Sequence, residues 1–219
     1  MTKSKPADVF LIAGGMQSTN NKEILAEALA LIKKKNPDVA YIGTASGDNK
    51  EFFLWIRQLF IAAGAGNVSL VRIIRRFDPD KARDILLSSD VVFISGGDVN
   101  LGMKYLRSRK LVTFLRELYD QGKLFCGVSA GAIMLSRNWM NWRDPDDDDT
   151  VELLDCLGFA PLLCDVHAEE DDWVEMKRLL GFFPKGTAGY GIPVNGALRV
   201  APDGKITSIG SAPVRFIKK

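Results

Sequence analysis

The feature that most constrains this chain is a rhythm of short apolar runs alternating with amphipathic stretches. Val9-Phe10-Leu11-Ile12-Ala13, Val39–Ile42, Val68–Ile74, Asp90–Ile94 and Leu124–Val128 are the runs in its first part. Residues that are apolar at successive positions leave a strand no face for water, so such runs are predicted to be central strands covered on both sides. Between them, Ile24, Leu25, Ala28, Leu29 and Ile32 recur at helical spacing within Glu23–Lys35. Phe52, Phe53, Ile56, Leu59 and Phe60 repeat that spacing before Gly64 and Gly66. Asp78-Pro79 opens a short helix over Lys81–Leu87, and two helical stretches lie within Leu101–Tyr119. Regular strand–helix alternation predicts an α/β fold, a three-layer sandwich with a mostly parallel central sheet and helices on both faces.

The pattern changes after Ser136. Trp139, Trp142, Arg143 and the run Asp144–Asp149 read as a polar loop, either a solvated excursion or an acidic rim over a site. Leu162–Val166 is predicted to be a strand and Asp171–Leu180 an acidic helical segment. Ala197–Val200 and Ile206–Ile209 flank Asp203-Gly204, a hairpin signature, and Val214–Ile217 is predicted to close the sheet. A chain of 219 residues with no internal repeat and no long linker is expected to form one domain over residues 1–219.

Composition narrows the chemistry. Lys and Arg number 29 against 27 Asp and Glu, and no basic stripe interleaved with aromatics marks a nucleic-acid face. Arg72, Arg75 and Arg76 form only a short basic cluster. The polar opening Met1–Asp8 and the brevity of Val9–Ala13 argue against a secretory signal or a membrane span, and a cytoplasmic location is expected. Cys126, Cys156 and Cys164 lack metal-ligand spacing, and three cysteines make no disulfide framework. No phosphate-loop or dinucleotide signature is present, so neither a cofactor nor a metal is expected. A single histidine restricts any imidazole mechanism to His167.

The strongest local signal is Gly127-Val128-Ser129-Ala130-Gly131, a Gly-x-Ser-x-Gly placed where a strand gives way to a helix. Such a turn needs small neighbours and projects the serine hydroxyl beyond the strand end. The Ala130 amide, near a helix N-terminus, is placed to stabilise a developing oxyanion. Ser95-Gly96-Gly97-Asp98 ends the neighbouring strand, so Gly97 or Asp98 is expected to offer a second amide to the same crevice. His167 is the one available base for Ser129. The plainer alternative is an ordinary glycine-rich turn with a surface histidine.

Taken together, Ile94-Ser95-Gly96-Gly97-Asp98-Val99-Asn100, Gly127-Val128-Ser129-Ala130-Gly131-Ala132 and Asp165-Val166-His167 resemble the serine peptidase family of aspartyl dipeptidase and cyanophycinase, peptidase family S51. The resemblance covers roughly residues 7–217 and implies a class I glutamine amidotransferase-like (flavodoxin-like) fold. It implies Ser129 as nucleophile, His167 as base, Gly97 and Ala130 as oxyanion donors, and small peptides, especially acidic or aspartyl ones, as substrates of a monomer or homodimer. One position departs from the family. Val194, in Gly191-Ile192-Pro193-Val194-Asn195-Gly196, stands where a glutamate is expected to orient the imidazole. Asn195 and Asp165 are the candidate replacements, and a catalytically weak or inactive binding or regulatory protein on the same fold is the competing expectation.

Overall fold

The computed structural model describes residues 5–15, 18–144 and 147–219. Along the chain run β1 (Val9–Ile12), α1 (Asn21–Ala30), β2 (Val39–Ile42), α2 (Lys50–Ala62), β3 (Val68–Val71), α3 (Pro79–Ser88), β4 (Val91–Ile94), α4 (Val99–Ser108), α5 (Leu111–Asp120), β5 (Leu124–Val128) and α6 (Ala130–Leu135). There follow β6 (Asn138–Trp142), β7 (Val151–Asp155), β8 (Leu163–Val166), α7 (Val174–Gly181), β9 (Ala188–Ile192), β10 (Gly196–Val200), β11 (Ile206–Gly210) and β12 (Val214–Ile217).

Seven strands form the central sheet in the order β11-β10-β1-β5-β4-β2-β3. The five strands from β1 to β3 in that order pair in parallel, while β10 joins β1, and β11 joins β10, antiparallel. Alternation along the strands divides the core in two. Phe10, Ile12, Val39, Tyr41, Val91 and Phe93 pack on one face with Leu25 and Leu29 of α1 and Ile56 and Phe60 of α2. Val9, Leu11, Ala40, Ile42, Val92 and Ile94 pack on the other with residues of α3, α4, α5 and α6. The mostly parallel sheet covered on both faces is the architecture that the apolar runs predict.

Local chemistry sets several helix starts. The Asp78 carboxylate accepts from the amides of Asp80 and Lys81, both at 3.1 Å, with Pro79 at the first helical position of α3. Asn49 caps α2 through the Phe52 amide at 2.8 Å, and Asp98 caps α4 through the Leu101 amide at 2.7 Å.

The carboxyl-terminal part differs from the sequence expectation. Val214–Ile217 does not close the central sheet; β12 pairs with β9, and β9 with β8, in a separate three-stranded sheet. The reason lies in β9, a strand rich in small residues, Ala188-Gly189-Tyr190-Gly191-Ile192, that carries little apolar periodicity. Trp139 and Trp142 are not in a loop but on β6, which forms a hairpin with β7. Of the aspartate-rich run between these strands, Pro145 and Asp146 lie outside the described residues.

Candidate active site

The carboxyl ends of β1, β4 and β5 lie side by side, with Ile12 opposite Val128 and Ile94 opposite Gly127. Ser129 follows β5 directly and is held at φ 54° and ψ −124°, outside the ordinary regions for a residue with a side chain. Its amide donates to the Ile12 carbonyl at 2.9 Å, so the neighbouring strand fixes the turn. The flanking glycines permit α6 to start against the sheet. A Cβ on Gly131 would lie 2.1 Å from the Ile94 carbonyl oxygen, and one on Gly127 would lie 2.3 Å from the Gly131 carbonyl oxygen. Either contact is far inside van der Waals range.

His167 follows β8, takes φ 43°, and anchors its backbone by donating from its amide to the Ile192 carbonyl at 2.9 Å. Its Nε2 stands 2.9 Å from Ser129 Oγ. The two residues named from sequence as nucleophile and base are therefore in hydrogen-bond contact. Gly97 comes to the same place by a tight turn at φ 133°, where a Cβ would sit 2.1 Å from the Ala45 carbonyl oxygen. The adjoining Asp98 amide is spent on that carbonyl at 2.9 Å. Among the described residues, the amides of Gly97 and Ala130 donate to no protein acceptor. Both residues line one cavity with Ser129 and His167.

Neither candidate for orienting the imidazole reaches it. Asn195 turns away, accepting at its Oδ1 from the Thr19 amide at 2.7 Å, while its own carbonyl accepts from Asn20 at 2.8 Å. Asp165 lies on β8 two residues before His167, yet the left-handed backbone at His167 ends the alternation that would put both on one face. Its Oδ1 accepts from the Val166 amide at 2.8 Å, and its Oδ2 is buried without a hydrogen bond. Burial pushes the Asp165 carboxyl up to about 6, the Val166 and Met176 amides offsetting part of the effect and Glu175 and Asp171 adding to it. Among the described residues, no side chain hydrogen-bonds the Nδ1 of His167. Glu169, one of the acidic residues that follow His167 in sequence, does not orient the imidazole; it accepts from the Val194 amide at 2.6 Å and so ties the His167 loop to the segment after β9.

Two hollows meet at Ser129. One, of about 310 Å³, is lined by Asp98, Asn100, Trp139, Asp165, Asp171 and Glu175 as well as by the residues already named. The other, of about 780 Å³, includes Phe52, Trp55, Asn49 and Val128. Gly97 and Ser129 border both. The cysteines offer no rival nucleophile. Cys126 is fully buried within β5, and burial drives its thiol and that of Cys164 upward, with Cys156 pushed up to about 12. Among the described residues, no group of three or more His, Cys, Asp or Glu is disposed to hold a metal ion, and no helix is long and apolar enough to cross a membrane.

Fold and site define an α/β protein with a serine elbow at the carboxyl edge of a doubly wound sheet. The chain matches the model of peptidase family S51 over residues 9–208 and belongs to that family. Among solved structures it is similar to a peptidase from an acI-B1 Actinobacterium, with a TM-score of 0.75, 18% identity, and coverage of 99% of this chain and 96% of that one. It is also similar to a candidate peptidase E from Listeria monocytogenes EGD-e, with a TM-score of 0.71, 16% identity, and coverage of 94% and 100%. No curated protein matches the chain by sequence.

Proposed function

We propose that the protein is a serine-type hydrolase of small peptides, with Ser129 as nucleophile and His167 as its base. The observation that carries this reading is the 2.9 Å contact between Ser129 Oγ and His167 Nε2 at a strained strand–helix turn. In the proposed reaction, Oγ attacks the scissile carbonyl carbon while His167 Nε2 takes its proton. The Gly97 and Ala130 amides receive the oxyanion of the tetrahedral adduct. His167 then protonates the leaving amine, the C–N bond breaks, and an ester to Ser129 remains. Water, losing its proton to Nε2, attacks that ester; the carboxylic product leaves and Oγ regains its proton. Gly97, whose amide has no other partner among the described residues, is the donor a Cβ would displace.

A second reading, a binding or regulatory protein on the same scaffold, is favoured by one observation: among the described residues nothing holds His167 from Nδ1. A dipeptide panel that includes Asp-Xaa members, assayed on the wild-type protein and on Ser129→Ala, separates the two. Hydrolysis by the wild type that vanishes in the variant is expected; equal traces from both proteins overturn the hydrolase reading.

A further inference from the structure

The hollow of about 310 Å³ beside Ser129 carries a one-sided chemistry. Among the described residues, Asp98, Asp165, Asp171 and Glu175 line it, and neither lysine nor arginine does. Asp98 has already committed its Oδ1 to the Leu101 amide. Asp165 has not committed both oxygens: the residue is 3% exposed, Val166 fixes the carboxylate through Oδ1, and, although the Met176 amide is near enough to favour the carboxylate, Oδ2 is buried and makes no hydrogen bond among the described residues. Asn100 Oδ1, on the same lining, is likewise buried without a donor. Buried acceptors are nearly always satisfied, because an unpaired one has lost its water and gained nothing. Two unpaired acceptors on one hollow, among carboxylates, call for a ligand rich in N–H donors and positively charged.

We propose that this hollow is a subsite for a primary ammonium group of the substrate, received between Asp165 and Asn100 with Asp171 and Glu175 supplying negative potential. An ammonium carries three donors and no acceptor, which suits two orphaned oxygens. A carboxylate side chain would meet four like charges there, so the expectation that acidic peptides are the preferred substrates is reversed at this subsite. The proposal rests on the peptidase reading only in taking the ligand to be a peptide. A peptide has two sources of the group, its α-amino terminus and a lysine side chain.

The test measures binding to Ser129→Ala by calorimetry at pH 7.5 and low salt. The ligands are the amides of Lys-Ala, acetyl-Lys-Ala, norleucyl-Ala, acetyl-norleucyl-Ala and acetyl-Asp-Ala. Peptides with an ammonium are expected to bind at least tenfold more tightly than acetyl-norleucyl-Ala amide, with acetyl-Asp-Ala amide weakest. A loss on acetylation alone assigns the terminus; a loss on replacing lysine by norleucine alone assigns the side chain. Adding Asp165→Asn is expected to abolish the preference. Because Asp165 is buried, Glu175→Gln, at an exposed position, serves as a second variant and is expected to reduce the preference two- to threefold. Equal affinities across the set, tightest binding of the acidic peptide, or no binding at all overturns the subsite. An ammonium preference in a wild-type protein that neither hydrolyses peptides nor reacts with a fluorophosphonate overturns the peptidase reading alone.

Discussion

Ser129 Oγ and His167 Nε2 lie 2.9 Å apart although 38 residues separate them in the chain. The pair is assembled by two sheets, Ser129 hanging from the end of β5 and His167 from the end of β8, with α6 packed between them. A fluorophosphonate probe should label the wild-type protein at Ser129. Labelling should disappear in Ser129→Ala and slow at least a hundredfold in His167→Ala, read by intact mass against time.

The backbone at Ser129 stores strain that glycine would release. Ser129→Gly is expected to be more stable than Ser129→Ala by about 1 kcal/mol, since both lack the hydroxyl and only glycine takes φ 54° and ψ −124° without steric cost. Paired urea melts check this; a less stable glycine variant contradicts it.

Gly131 is needed for a different reason, the approach of α6 to β4. Gly131→Ala puts a methyl 2.1 Å from the Ile94 carbonyl oxygen and 2.8 Å from that of Ser95. Both neighbours are backbone and cannot swing aside, so a loss of about 2–3 kcal/mol is expected in denaturant unfolding. Wild-type stability in this variant would refute the close packing.

Val194→Glu tests what the His167 loop lacks. Val194 is already bound to that loop through Glu169, so a carboxylate at this position is expected to support the imidazolium and raise the labelling rate of Ser129 at least tenfold. An unchanged rate would show that the site does not require an orienting carboxylate at this place.

Asp165 gives stability a pH dependence of its own. Burial raises its folded-state value from 3.8 to about 6, so the folded protein holds this proton more tightly than the unfolded chain. The resulting stabilisation is complete below the unfolded value and lost as pH rises through about 6. Between pH 3 and pH 7.5 the stability of the wild type relative to Asp165→Asn should therefore fall by up to about 3 kcal/mol. Denaturant melts at the two pH values measure it, and a difference that does not change with pH counts against the buried carboxylate.

The parts of this molecule legible in sequence are those written in continuous apolar runs or in one short motif. Val9–Ile12, Val91–Ile94 and Leu124–Val128 announce buried parallel strands because both their faces must be apolar. Ser129 is announced by the glycines its turn cannot do without. β9 was invisible, since Gly189 and Gly191 are there to make room for Met176 and Trp173 rather than to contribute apolar surface. The orienting group was sought in Asp165 by strand alternation, and the positive φ of His167 breaks that alternation. Asp171 and Glu175 stand four apart around the start of α7, but no sequence pattern links them to Asn100 on α4, which lines the same hollow. Only the coordinates bring them together.

The two hollows that meet at Ser129 differ in kind, one lined by carboxylates and the other bordered by Phe52 and Trp55. A cleft with unlike ends has a direction. For the proposed peptide substrates, Lys-Phe and Phe-Lys would offer this serine opposite ends despite their one composition, so the order of residues would be read along with their identity.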